Sequence, residues 1–289
     1  MLKLIFSRKN LNGKMKIYNN LKINKNHQNS VVAIGNFDGI HLGHQKVLNL
    51  ARQKAKKNKL PFGVITFEPM PVMFFNKKIK NHRINSLKQK IDQLKKLNLN
   101  FIVIIKFNRK FSRYSPEKFI NNILFEKIKS KYIFVSKNFK FGKDRKGNIS
   151  TLKKFENQLG FKTIITKPLR VSKKVISSTL IRKKISLGKI QEVNKLLNRS
   201  WCIEGKVIRG SKRGRKIGFP TCNIKIEDYV IPKLGVYSTS IESGNLKKKK
   251  GIANIGFRPT FNGQNLLLEV NIFGINKNLY NKVLKVNLI

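Results

Sequence analysis

Short runs of β-branched and aromatic residues alternate with longer amphipathic stretches from residue 31 to about residue 185, and the alternation stops before Trp201. The runs Val31–Ile34, 62–67, Phe101–Lys106, 132–135 and 163–165 predict strands, and Leu42–Lys57, 87–97, 116–128 and 152–159 predict helices. Strand and helix in turn, at this spacing, imply a mostly parallel sheet covered on both faces. Ser115-Pro116-Glu117 offers a helix start: a capping hydroxyl, a proline in the first turn and an acid at the positive dipole end. A polar helical passage over 177–199 leads into short strands at 205–209, 235–241, 251–256 and 266–273, joined by turns containing Gly, Pro and Asn. That texture belongs to a small β-barrel or sandwich. The chain is therefore expected to be α/β, with a mostly parallel sheet domain first and a small β-barrel or sandwich after it, the boundary falling between about 185 and 201.

The 289 residues, 40% of them hydrophobic, suffice for two modest domains. The longest apolar runs, such as Phe101 to Ile105, are far too short to cross a bilayer, so no membrane association is expected. The first nine residues lack a long apolar core and a small-residue cleavage site, and a secretory leader is not expected. Two cysteines, Cys202 and Cys222, cannot make a disulfide framework or a zinc cluster, and a reducing cytoplasm is the expected setting. Lys plus Arg number 63 against 13 Asp plus Glu, a net charge of +50. Such a balance attracts phosphate, and a basic nucleic-acid-binding protein is one alternative. The lysines, however, are spread along the whole chain among abundant Asn, Ile and Phe, the residues of AT-rich codons. Dispersed charge defines no docking face, so no specific nucleic-acid partner is expected.

Two stretches carry chemistry. In the first, 31–44, an apolar strand runs into a loop bounded by Gly35, Gly39 and Gly43, and a helix follows at once. Glycines let backbone approach a phosphate closely, and a helix start supplies free N–H groups and positive potential. His41 and His44, two of the chain's four histidines, stand three apart there, so both imidazoles can face one anion and donate to it as charge builds on phosphorus. Further on, Ser177, Ser178 and Thr179 can cap a helix and present hydroxyls, and Arg182 adds a planar fork one turn later.

In the second stretch, 205–224, Gly210, Gly214 and Gly218 recur every four residues among Lys and Arg, as in a basic loop that wraps phosphates. Phe219-Pro220-Thr221-Cys222-Asn223 follows, and Thr221 and Asn223, two apart, share one side of an extended chain. A hydroxyl and an amide oxygen are hard ligands suited to Mg2+ carrying ATP phosphates.

The 35–44 segment resembles the G-x-F-D-G-x-H-x-G-H signature of bacterial bifunctional riboflavin kinase/FMN adenylyltransferases. Thr66-Phe67-Glu68-Pro69-Met70-Pro71, Asn138-Phe139-Lys140-Phe141-Gly142 and Ser177-Ser178-Thr179-Leu180-Ile181-Arg182 resemble further motifs of that family in its order. The 214–223 segment is similar to its G-R-x-x-G-F-P-T-A-N motif, with Cys222 in the Ala place, and the segments 232–237, 254–261 and 268–270 match as well. Departures are Met70 for His, Ser136 for Gly, Asn271 for His, Gly274 for an acid and Asn281 for Gly. The resemblance spans about 14 to 289 and ends sooner than the family usually does, so a barrel shortened at its carboxyl end is expected.

The resemblance implies an α/β fold with a Rossmann-like domain over 1–185 and a β-barrel domain over 186–289. It further implies phosphorylation of riboflavin to FMN and adenylylation of FMN to FAD, with ATP, riboflavin and FMN as substrates and Mg2+ as cofactor. It implies that His41 and His44 hold phosphates within the loop of Gly35, Phe37, Asp38, Gly39 and Gly43, with Asp38 fixing that loop. Ser178, Thr179 and Arg182 would engage ATP, Asn138 the flavin substrate, and Glu269 would be the base that prepares the riboflavin 5′-hydroxyl. An FMN adenylyltransferase with a degenerate kinase module is the nearer alternative.

Overall fold

The computed structural model describes residues 15–171, 174–209, 220–244, 246–260, 263–275 and 277–289. In chain order the first elements are β1 (Lys16–Tyr18), β2 (Val31–Ile34), α1 (Leu42–Lys57), β3 (Phe62–Glu68), α2 (Pro71–Phe75), α3 (Leu87–Lys95) and β4 (Phe101–Lys106). Then come α4 (Arg109–Ser112), α5 (Pro116–Phe119), β5 (Tyr132–Ser136), α6 (Ile149–Lys154), α7 (Glu156–Leu159) and β6 (Lys162–Thr166). A two-stranded ribbon, β7 (Arg170–Val171) and β8 (Lys174–Val175), precedes α8 (Ser178–Ser186) and α9 (Ile190–Leu197). The last strands are β9 (Trp201–Ile208), β10 (Cys222–Lys225), β11 (Gly235–Ser243), β12 (Leu246–Thr260), β13 (Gly263–Ile272) and β14 (Val283–Leu288).

The described residues pack as two units that do not follow a single cut in the chain: 15–36, 47–71 and 91–167 form one, and 37–46, 72–90 and the residues from 168 onward form the other. Unit one holds a six-stranded sheet in the order β1-β4-β3-β2-β5-β6, every neighbouring pair parallel. Val31 to Ile34 are buried throughout, as strands covered on both faces require. The strand order reverses between β2 and β5, and in open α/β sheets ligands bind beyond the carboxyl ends of strands at such a point. The segments leaving β2 and β5 carry Gly35 and Asn138.

Unit two holds a closed antiparallel barrel, β10-β13-β12-β11-β14-β9. Its interior is filled at period two by residues such as Trp201 and Ile203 on β9, Leu268 and Val270 on β13, and Leu284, Val286 and Leu288 on β14. The α9 helix buries Ile190, Val193, Leu196 and Leu197 in the same cluster. Trp201 is fully buried, and its indole N–H donates to the Ile84 carbonyl at 2.8 Å. The expected parallel α/β sheet followed by a β-barrel is thus borne out. The periodicity missed β1, the β7–β8 ribbon, β10 and β14, and it began the first barrel strand four residues late. The expected 116–128 helix begins as α5, capped by the Ser115 hydroxyl on the Lys118 amide, and continues with π winding over Ile120–Lys127.

Candidate active site

The loop joining β2 to α1 is held in a conformation its sequence does not favour. Phe37, Gly39 and Ile40 have φ of 47°, 82° and 39°. Only glycine adopts that region freely, so Phe37 and Ile40 each store ~1–3 kcal/mol that their surroundings must offset. The offset is visible as side chains clasping three consecutive carbonyls. Ser178 Oγ donates to the Asp38 carbonyl at 2.9 Å, Arg199 Nη2 to that of Gly39 at 2.7 Å, and Gln45 Nε2 to that of Ile40 at 2.9 Å.

Asp38, only 2% exposed, ties the loop from its side chain as well. Its carboxylate accepts from Arg182 Nη2 at 2.6 Å and from the backbone N–H groups of Ile84 at 3.1 Å and Asn85 at 3.3 Å. Arg182 Nε donates to the His82 carbonyl at 2.7 Å, which fixes the plane of the guanidinium. Ser177 caps α8 through the Leu180 amide, so Ser178 and Arg182 are set by one helix start, and Thr179 is exposed on it.

This loop delivers the two histidines. His41 precedes α1 and His44 lies in its first turn, and their rings stack at 3.7 Å between centroids. Gly43 permits the approach, since a Cβ there would meet the His41 ring at 3.1 Å and the Ile176 carbonyl at 3.3 Å. His41 Nδ1 accepts the His44 backbone N–H at 3.3 Å, which assigns the ring proton of neutral His41 to Nε2. Burial, then Arg199 and Arg182, pull the His41 imidazole down to about 4. Burial, then His41, Lys90 and Arg182, hold His44 well below the usual imidazole value. Both rings are therefore neutral at pH 7 and each has one N–H to donate. His44 Nδ1 is buried with no partner among the described residues, and the Phe37 ring meets His44 edge-on at 5.3 Å. Gly35 lies just ahead of the loop, its N–H on the Ile65 carbonyl at 3.1 Å.

The structure thus brings His41, His44, Asp38, Gly39, Gly43, Ser178 and Arg182 into unit two, the unit that also contains the barrel. Arg199, Gln45 and buried Lys90 join them, and sequence reasoning missed all three. Asn138 belongs to unit one, exposed beside a pocket of about 430 Å³ lined by Lys137, Phe139, Lys140, Arg145 and Ser150.

On the barrel, Asn223 and Glu269, 46 positions apart, are direct partners across β10 and β13, and Glu269 is the direct partner of Asn254 on β12. Directly opposed residues in antiparallel strands point to one face, so the three side chains form a row across neighbouring strands. Asn254 Nδ2 lies 3.4 Å from Glu269 Oε2. Asn223 Oδ1 is buried and has no hydrogen-bond partner among the described residues. Thr221 is exposed immediately before β10. Gly210, Gly214 and Gly218 lie outside the described residues. Both cysteines are free thiols, and burial pushes Cys202 up to about 12, which leaves it protonated and a poor nucleophile. Among the described residues no helix is long and apolar enough to cross a membrane.

Residues 23–180 match the FAD synthetase family model and residues 197–289 the riboflavin kinase model. A bifunctional riboflavin kinase/FMN adenylyltransferase of Buchnera aphidicola subsp. Schizaphis graminum is 43% identical over 273 residues, 93% of this chain and 86% of its own. One from Haemophilus influenzae is 37% identical over 259 residues, 90% of this chain and 84% of its own. A crystal structure described as a macrolide-efflux protein from Streptococcus pneumoniae superposes with a TM-score of 0.83 at 30% identity, covering 95% of this chain and 89% of that one. With both models matched in order, and the loop of the first and the barrel of the second both formed, the chain belongs to the bifunctional riboflavin kinase/FMN adenylyltransferase family.

Proposed function

We propose that the chain makes FAD in two ATP-dependent steps at two sites, one assigned to residues 1–185 and the other to 186–289. In the first step the riboflavin 5′-hydroxyl attacks the γ-phosphorus of ATP, its proton passes to Glu269, and FMN and ADP result. In the second a phosphate oxygen of FMN attacks the α-phosphorus of a second ATP, the bond to the β-phosphate oxygen breaks, and FAD and pyrophosphate result. No protein nucleophile is needed for either transfer, so the chain contributes position and charge stabilisation.

The observation that carries the adenylylation reading is the stacked, neutral His41–His44 pair at the start of α1. Two neutral imidazoles can each donate an N–H to the triphosphate without the desolvation cost of two buried cations. Gly35, Phe37, Gly39 and Gly43 give the loop its shape, Arg182 supplies the fixed positive charge, Thr179 offers a hydroxyl at the α8 start, and Ser178, whose own O–H is spent on the Asp38 carbonyl, holds the loop beside it instead of the phosphate. Asn138 beside its cationic pocket is assigned to the flavin substrate, whose phosphate Lys137, Lys140 and Arg145 attract. In the barrel, Thr221 and Asn223 would hold Mg2+, and Gly210, Gly214 and Gly218 are assigned to the ATP phosphates. The buried, unpartnered Asn223 Oδ1 fits a hard cation that keeps several waters. Mg2+ supplies neutralisation of the polyphosphate charge when bound. Free thiols fit a reducing, cytoplasmic setting.

Flavin chromatography after incubation with riboflavin, ATP and Mg2+ tests the reading: FMN and then FAD should appear. His44→Ala should abolish FAD formation from FMN while FMN still forms from riboflavin, and Glu269→Ala or Asn223→Asp should do the reverse. FAD from FMN without any FMN from riboflavin would leave adenylylation alone. Equal loss of both reactions in a folded single variant would refute the division of labour.

A further inference from the structure

Arg199 lies in the stretch that matches the riboflavin kinase model, two residues ahead of β9, yet its side chain is spent on the histidine loop. Nη2 donates to the Gly39 carbonyl at 2.7 Å and to Asn85 Oδ1 at 3.0 Å, while Nη1 donates to the Leu197 carbonyl at 3.1 Å. One planar fork therefore joins three segments: the strained turn at 37–40, the 84–85 backbone that holds Asp38, and the end of α9. Gly39 is the middle of the three clasped carbonyls, and Phe37 and Ile40 in the same turn have φ values costly for a side-chain-bearing residue. Burial pulls the Arg199 guanidinium down only to about 10, so it is charged at neutral pH.

We infer that Arg199, a residue of the kinase stretch, is a positioning residue for FMN adenylylation: it fixes the loop that sets the His41–His44 pair. The inference rests on the adenylylation reading above. Arg199 touches no substrate in this scheme; it acts through the Gly39 carbonyl and through its charge. A lysine at this position keeps the charge but loses the geometry of several N–H groups held in one plane. Glutamine keeps some hydrogen bonding and loses the charge. The titratable and charged groups acting on His41 are the stacked His44 on α1, Arg182 on α8 and Arg199 ahead of β9; Lys90 on α3 acts on His44, and Asp38 and the His82 carbonyl are partners of Arg182. Of these, Arg199 is the largest charge effect holding the His41 imidazole neutral.

The test uses the full chain and measures both reactions in one preparation of wild type, Arg199→Lys and Arg199→Gln. Loss of a charge-assisted hydrogen bond predicts kcat for FMN adenylylation roughly ten- to hundred-fold lower in both variants, with KM for FMN unchanged. Riboflavin phosphorylation should stay within about twofold, which also reports that the barrel has folded. The acid limb of the adenylylation pH profile should move to higher pH in Arg199→Gln and stay in place in Arg199→Lys, a split that mere loosening of the fold would not give. Wild-type kcat in Arg199→Lys overturns the inference, as does equal loss of both reactions in that variant. Should Arg199→Gln not fold, the Lys variant and its internal kinase control decide alone. Absence of adenylylation in the wild type would instead refute the underlying reading.

Discussion

Replacing Asp38 with alanine removes the acceptor on which three donors of unit two converge. The carboxylate is 2% exposed and lies 2.6 Å from Arg182 Nη2, with the Ile84 and Asn85 amides at 3.1 and 3.3 Å. Breaking a buried ion pair from one side costs about 3–5 kcal/mol, because the remaining charge has no partner. The Arg182 side chain keeps 19% exposure and its Nε bond to the His82 carbonyl, which places this pair at the lower end. Each of the two stranded amides adds ~1 kcal/mol at the low end, so the total loss is about 5 kcal/mol. For a folded unit of this size that lowers the melting midpoint by roughly 10 °C. Asp38→Asn keeps the shape and one oxygen and should lose about half as much. Circular-dichroism melts give the order wild type, Asn, Ala. Activity at 20 °C, well below the midpoints, should show adenylylation falling in the same order while phosphorylation holds. An alanine variant with a wild-type midpoint would refute the view that this carboxylate holds the loop together.

The His41 imidazole titrates near 4 in the folded chain against 6.5 when free. Below pH 6.5 the unfolded chain takes up a proton that the folded chain refuses, so stability falls as pH drops toward 4. Between pH 7 and 5 this amounts to about 2 kcal/mol, and urea midpoints of His41→Gln should show a pH dependence shallower by that amount. Ser178→Ala deletes the bond to the Asp38 carbonyl and should cost about 1 kcal/mol in the same assay, leaving the Arg182 ion pair intact. Asn254→Ala removes the neighbour of Glu269 in the barrel row and should lower riboflavin phosphorylation while adenylylation stays at the wild-type rate.

Much of the fold was legible because its signals are local. A buried parallel strand such as β2 shows as an unbroken apolar run, and the barrel strands show as period-two alternation between turns. What escaped was short or depended on distant partners. Three residues of β1 bury only Tyr18, too few to show a period, and β1 is a strand because β4 offers it a parallel edge. The β14 strand alternates Leu284, Val286 and Leu288 against Lys285 and Asn287, a legible pattern that the turn-rich residues before it obscured. Phe155, the end of α6 and the start of α7, splits one expected helix in two; its φ and ψ of −91° and −5° end the regular winding, and no glycine or proline marks the break.

The site divides the same way. Groups proposed to touch phosphate sit together in short segments, so spacing reveals them: His41 and His44 are one helical turn apart, and Thr179 and Arg182 share the first turns of α8. Groups that hold those segments from behind come from far away in the chain. Arg199 reaches Gly39 across 160 positions and Ser178 reaches Asp38 across 140. An isolated Arg before a strand has no pattern to distinguish it from a solvated one; only the packing of unit two makes it a partner of a strained turn. Asn223 and Glu269 are a middle case, each visible as a residue type and brought into one row by barrel register alone. A one-residue register slip between β10 and β13 would turn Glu269 to the other face, so the proposed kinase chemistry depends on register as much as on residue identity.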